Sequence, residues 1–326
     1  MDFKVLVTNK LPEEGLVRLK EHCKVYMHKK DSSMIQKELL KFAPILDGII
    51  PVITKINAEF IREAKKLKVI SNYGVGYDNI DINAATKRGI PVTNLPYSVT
   101  ESTAELTMAI MLAVTRRIAE ADNYMRTAND GIWHPNLLMG HELYGKKLGI
   151  IGFGRIGKAV ARRAWGFGMD LYYYDTKRSD SYKLDTNVKF LSFKELIKQM
   201  DYITLHVPYL KNTHHLIAKK EFANMKKNAY LINASRGPVV DQQALINALK
   251  NGIISGVALD VFEKELQVPE DLCKLKNVIL TPHIGTSTIE TRIKMAARAS
   301  EKIIQIMSGK TSENIINEKE LKDIIN

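Results

Sequence analysis

Short apolar runs rich in β-branched residues alternate along this chain with longer stretches whose apolar positions fall three and four apart. The first kind predicts buried parallel strands and the second amphipathic helices. Over residues 1–100 the pattern predicts strands at Lys4–Thr8, Lys24–His28, Gly48–Val52, Lys68–Ser71 and Pro91–Asn94. Helices fall between them at Glu13–His22, Ser32–Phe42, Ala58–Lys66 and Ile82–Arg88. From residue 145 to 285 the alternation resumes. Strands are expected at Leu148–Ile151, Asp170–Tyr174 and Asp201–Pro208, from Ala229, over Gly256–Val261 and from Val278, with helices at Phe193–Gln199, Lys219–Met225 and Asp241–Asn251. Strands alternating with helices mean a parallel sheet covered on both faces. The expected fold class is therefore α/β, with two doubly wound parallel-sheet units, the second the larger. A helix from about Thr288 to Met307 follows, and the chain ends in short charged segments.

Between the units, Ser98-Val-Thr-Glu101 has capping-box spacing and predicts the start of one long helix over 101–127. Its middle, Leu106 to Val114, is apolar nearly all round, which predicts burial on more than one side. The next stretch, Thr127 to Tyr144, has no period yet carries Trp133-His-Pro135, Leu137, Leu138 and Met139. An apolar irregular segment of that length is expected under a cover, and a partner subunit is the first candidate.

The chemistry starts at residues 147–175. The strand ending at Ile151 runs into Gly152-Phe-Gly154-Arg-Ile-Gly157, a helical pattern follows (Ile156, Val160, Ala161, Ala164), and a second strand ends in Asp175. In such a unit the first glycine makes the tight turn, the second lets backbone approach a pyrophosphate, and the third lets helix pack on strand. The N–H groups and dipole at the helix start attract phosphate. An acid about twenty residues after the glycines takes the ribose hydroxyls of NAD and repels a 2′-phosphate. Lys177 and Arg178 follow closely, so NADP stays open as an alternative to NAD.

The first unit has no such fingerprint after its first strand. Its glycines gather at Asn72-Tyr-Gly74-Val-Gly76, directly after a strand. Bare backbone N–H groups there suit a carboxylate, or the loop is a sharp turn and nothing more.

Composition changes this picture little. A chain of 326 residues with 45% hydrophobic residues is ample for two cores. The longest apolar run, near Met108 to Val114, is too short to span a bilayer, and Met1-Asp-Phe-Lys-Val does not read as a signal peptide. The net charge of +12 invites nucleic acid. However, the lysines scatter over helix faces with no arginine-rich run, so a solvated basic surface is the expectation. Cys23 and Cys273 have no metal or disulfide spacing, which fits a reducing cytoplasm. No metal is expected.

Three polar groups lie just past strand ends in the second unit: Arg236, Glu265 and His283. Arginine binds a carboxylate in bidentate fashion and polarises a neighbouring carbonyl. A histidine paired with a carboxylate is a general acid/base. With NAD, the set describes reduction of a 2-keto acid, hydride to carbon and proton to oxygen. Taken singly, the three also read as a surface arginine, a loop glutamate and a helix-capping histidine. His206 is expected to line the cofactor cleft without catalysing, and His214 and His215 to be loop residues.

Together, Gly152–Gly157 with Asp175, Asn233-Ala-Ser-Arg-Gly-Pro-Val-Val-Asp241, Ala258-Leu-Asp-Val-Phe-Glu-Lys-Glu265, Thr281-Pro-His-Ile-Gly285 and Gly74-Val-Gly-Tyr-Asp-Asn-Ile-Asp81 resemble the D-isomer-specific 2-hydroxyacid dehydrogenases. The resemblance covers nearly the whole chain. It implies a Rossmann NAD domain, residues 101–285, inserted into a flavodoxin-like substrate domain, residues 1–100 and 286–326. It further implies a homodimer with its arm over about 101–144. By the same resemblance Arg236 anchors and polarises substrate, His283 is the acid/base and Glu265 holds it, while Val75 and Gly76 offer N–H groups to the substrate carboxylate. Gly152, Gly154, Arg155, Ile156, Gly157, Asp175, Val207, Pro208, Thr213, Ala234, Ser235, Asp260 and Gly285 match cofactor contacts. One departure is Leu266, where the family has proline after the glutamate. The stretches around Trp133 and His283–Arg292 look most like the glyoxylate/hydroxypyruvate reductase branch, in which Trp133 would come from the partner subunit to the rim of the pocket. D-lactate dehydrogenase, phosphoglycerate dehydrogenase and a catalytically idle NAD-sensing scaffold are the alternatives.

Overall fold

The computed structural model describes residues 3–30, 32–127, 131–178, 188–265 and 267–325, with side chains to residue 322. Leu266, three residues of the arm (128–130) and most of the polar stretch after Asp175 (179–187) lie outside the described residues. The chain forms two compact units, residues 1–99 with 287–326, and residues 100–286.

In the first unit five strands run parallel: β1 (Phe3–Val7), β2 (Cys23–Met27), β3 (Gly48–Ile50), β4 (Val69–Ser71) and β5 (Val92–Thr93). Their order, β2-β1-β3-β4-β5, is the flavodoxin-like one. Val5, Leu6, Val7, Ile49, Ile50, Val69 and Ile70 are all fully buried. Strands covered on both faces need such unbroken apolar runs rather than alternation. The predicted helix Glu13–His22 divides into a 3-10 turn, Glu13–Gly15, and an α-helix, Val17–His22. The predicted helix at Ser32 starts only at Gln36. After Met307 the sequence pattern suggests no more than charged segments, but a helix spans Glu318–Ile325. Asn317 ties its start to β5: its Oδ1 accepts from the Val92 N–H at 3.0 Å and its Nδ2 donates to Ile90 O at 3.0 Å.

The second unit has seven parallel strands: β6 (Lys147–Ile151), β7 (Asp170–Tyr174), β8 (Lys189–Phe190), β9 (Tyr202–Leu205), β10 (Tyr230–Asn233), β11 (Gly256–Leu259) and β12 (Val278–Leu280). The order is β12-β11-β10-β9-β6-β7-β8. Read from β8, the first six follow the dinucleotide-binding order, and the chain reverses direction across the sheet between β6 and β9. Ligands of such sheets bind at that reversal, beyond the strands' carboxyl ends. Alternate side chains feed two cores: Ile203, Leu205, Leu231 and Val257 on one face, Ile150, Tyr202, Ile232 and Ala258 on the other.

The helix expected over 101–127 is two helices, Thr100–Thr115 and Ile118–Thr127. The break is at Arg117, whose φ is +54°. The returning chain takes the carbonyl that would have continued the helix, since the His141 N–H donates to Thr115 O at 3.1 Å. Arg117 then pairs with Glu120 through two hydrogen bonds of 2.9 Å. The expected capping box is not formed. Glu101 is held by Arg162 and Arg163 at 2.7 and 2.8 Å, and the Ser98 hydroxyl is buried without a partner among the described residues. No helix among the described residues is long and apolar enough to cross a membrane.

Candidate active site

The glycine loop sits at the carboxyl end of β6, beside the reversal. Gly152 has φ +93°, and a Cβ there would lie 2.6 Å from the backbone of His206 at the end of β9. Both the left-handed conformation and the close approach exclude a side chain. At Gly157 a Cβ would meet Gly152 O at 2.2 Å, so helix and loop pack only because it is glycine. Around Gly154 the opposite holds: a Cβ would meet no atom within 4 Å. The helix Arg155–Gly166 starts from Gly154 with no side-chain cap, which leaves its positive end for an anion. Asp175 accepts from the Phe153 N–H through Oδ2 at 2.8 Å, which fastens the acid at the end of β7 to the glycine loop. Tight where the chain must pack and open where a pyrophosphate would lie, the cradle fits a dinucleotide.

Arg236, Asp260 and His283 follow β10, β11 and β12, which are adjacent strands in register (Asn233 opposite Leu259, Leu259 opposite Leu280). Buried Asn233 shapes the first loop. Its Oδ1 accepts from the Ser235 N–H at 3.0 Å and from the Ser235 hydroxyl at 2.8 Å, and its Nδ2 donates to Arg236 O at 3.0 Å. Arg236 Nη1 donates to Ser235 O at 2.8 Å. Asp260, 1% exposed, organises the third loop. It accepts from the Thr281 hydroxyl at 2.7 Å and from the Ile284 and Gly285 N–H groups, each at 2.8 Å. Burial pushes its carboxyl above the usual range, and those three donors with the nearby His283 pull it back. The His283 N–H donates to Asp260 O at 2.9 Å, which holds this residue at φ +55°. A non-glycine residue in the left-handed region is strained, and such strain gathers at functional sites. Its Nδ1 lies 3.3 Å from Glu265 Oε1, with both side chains a little over two-fifths exposed. Among the expected residues, then, Glu265 and His283 meet, and Asp260 ties the loops after β11 and β12 together.

The remaining expected residues are more scattered. Val207 and Pro208 leave β9 next to Gly152, and the Thr213 hydroxyl donates to Pro208 O at 2.7 Å, closing that loop. Burial lowers the His206 pKa to about 3, so its imidazole is neutral at any working pH and is no proton donor. His215 is not an idle loop residue: its Nε2 lies 2.8 Å from Glu263 Oε1, which also accepts from the Gln242 N–H at 3.1 Å. That pair pins the loop two residues before Glu265, and no spacing along the chain signals it. Val75 and Gly76 lie in the first unit, in the loop after β4. Trp133 is 80% exposed.

Residues 108–285 match the family described as D-isomer specific 2-hydroxyacid dehydrogenase, NAD binding domain. A glyoxylate reductase of Thermococcus litoralis is 45% identical over 330 residues, covering 100% of this chain and 98% of the relative. A solved Thermus thermophilus structure superposes with a TM-score of 0.91 at 41% identity, covering 96% of this chain and 100% of that one. The NADPH-dependent glyoxylate/hydroxypyruvate reductase of Sinorhizobium meliloti, solved with NADP and malonate, gives 0.85 at 27% identity, covering 98% of both chains. A dinucleotide cradle, a histidine–glutamate pair at the ends of the neighbouring strands and full-length relatives at this identity lead to one assignment: the chain belongs to the D-isomer specific 2-hydroxyacid dehydrogenases.

Proposed function

We propose that this dehydrogenase reduces glyoxylate and hydroxypyruvate to the corresponding 2-hydroxy acids, the D isomer in the second case. The observation that carries the reading is the His283–Glu265 pair on strained backbone beyond β12, with Arg236 beyond β10. Relatives over the full chain that are named glyoxylate reductase support the choice of substrate. Bound NADH or NADPH supplies the hydride to the carbonyl carbon. Arg236 grips the substrate carboxylate and polarises the carbonyl, His283 delivers the proton to the carbonyl oxygen, and Glu265 stabilises the imidazolium. Val75 and Gly76 give N–H groups to the same carboxylate. Gly152, Gly154, Arg155, Ile156 and Gly157 hold the pyrophosphate, and Val207, Pro208, Thr213, Ala234, Ser235, Asp260 and Gly285 border the rest of the cofactor. Consumption of NADH with a panel of 2-keto acids tests the reading: turnover fastest with the two small acids supports it, and no turnover with any keto acid rejects it.

Glu265→Gln removes the carboxylate beside the His283 ring. The kcat for keto-acid reduction is then expected to fall about tenfold, with NADH affinity little changed. A kcat equal to that of the wild type takes Glu265 out of this role.

The Asp175 carboxylate at the ribose position favours NADH over NADPH, although Lys177 and Arg178 follow it. Asp175→Ala is expected to narrow the preference in kcat/KM, and a wild-type preference for NADPH contradicts it.

The working form is a homodimer in the cytoplasm. Exposed Ile132, Trp133, Met139 and Tyr144 support a covered arm, and the two free cysteines support a reducing compartment. Trp133 narrows the partner's pocket, so Trp133→Ala is expected to raise activity on a branched-chain keto acid relative to hydroxypyruvate. An unchanged ratio leaves Trp133 as packing alone.

A further inference from the structure

The loop that leaves β4 has an unusual distribution of hydrogen bonds. Three successive carbonyls are each bonded from within the first unit. Gly74 O accepts from the Leu95 N–H at 2.9 Å, Val75 O from Asn94 Nδ2 at 2.8 Å, and Gly76 O from Asn72 Nδ2 at 2.7 Å. The N–H groups of Gly74, Val75 and Gly76 donate to nothing among the described residues, and the three residues are only partly buried. In a trans peptide the carbonyl of one residue and the N–H of the next point in opposite directions. Turning the Gly74 and Val75 carbonyls inward therefore turns the Val75 and Gly76 N–H groups outward. Successive outward N–H groups form a concavity that attracts an anion.

We propose that Asn94 and Asn72 are positioning residues for substrate: by holding the Val75 and Gly76 carbonyls they aim the loop's N–H groups at the 2-keto carboxylate. This rests on the reading that Val75 and Gly76 bind that carboxylate. Asn94 acts on the Gly76 N–H, because the Val75 carbonyl it holds belongs to the same peptide. Asn72 fixes the far end of the turn. Its side chain is 1% exposed and its Oδ1 is buried with no partner among the described residues. An unpartnered buried amide oxygen costs stability, and a leucine of similar shape would fill the space without that cost. Packing alone does not account for an amide here; donation to the loop carbonyl does.

The test is steady-state kinetics of the full chain carrying Asn94→Leu, with oxalate as a competitive carboxylate probe. Loss of the aimed N–H is a loss of binding common to ground and transition states, so KM for glyoxylate is expected to rise about tenfold with kcat little changed. Inhibition by oxalate weakens by the same factor, and NADH binding does not move. Asn94→Gln, which keeps the donor, restores part of the loss. Asn94→Asp keeps the shape without the donor, and the same loss is expected of it should the leucine variant not fold. Unchanged KM and unchanged oxalate inhibition in variants of an enzyme that does reduce keto acids overturn the proposal alone. A wild type that reduces no keto acid and binds no oxalate overturns the reading beneath it.

Discussion

Replacing His283 by asparagine is expected to lower kcat for keto-acid reduction by about 10²–10⁴-fold, the usual contribution of a positioned general acid. Asparagine is the informative choice because the position has φ +55°. It tolerates the left-handed region better than most residues, so the backbone and the Asp260-anchored loop remain as they are. NADH affinity should be preserved, since the cradle around Gly152–Gly157 does not depend on the imidazole. His206 does not take over: burial lowers its pKa to about 3, so its imidazole is neutral. Single-turnover rates with saturating NADH check the prediction, and a loss under tenfold removes His283 as the proton donor.

Arg236→Lys should cost nearly as much. Lysine keeps the charge but presents a compact ammonium in place of a planar fork. On the proposed role, the bidentate grip on the carboxylate and the contact that polarises the carbonyl would both be lost. Donors aimed at developing charge are worth about 3 kcal/mol each, or ~10²-fold, so kcat/KM should fall by roughly that factor or more. The loop itself should survive, because Asn233 rather than the Arg236 side chain shapes it. Measured kcat/KM within threefold of wild type contradicts the assignment.

The placement of these residues at strand ends was legible in the sequence because each belongs to a short local signal. Gly152, Gly154, Gly157 and Asp175 carry their meaning in their spacing. Arg236 and His283 each stand three residues beyond the last residue of their strands. Where the chain meets a distant part of itself, local pattern failed. The helix break at Arg117 depends on the His141 N–H reaching the Thr115 carbonyl from 26 residues further on. Ser98-Val-Thr-Glu101 has the spacing of a cap, but two arginines of the helix Arg155–Gly166, some sixty residues on, claim the glutamate. His215 and Glu263 are 48 residues apart and meet only because the loops after β9 and β11 close on each other. Nothing in the local pattern marks the amides of Asn72 and Asn94, whose partners are the Gly76 and Val75 carbonyls.

The claim that this chain is a D-specific keto-acid reductase is tested most directly by its product. Incubated with hydroxypyruvate and NADH, the protein should form D-glycerate in amounts equal to the NADH consumed, resolved by chiral chromatography. Formation of the L isomer, or NADH loss without glycerate, would contradict it.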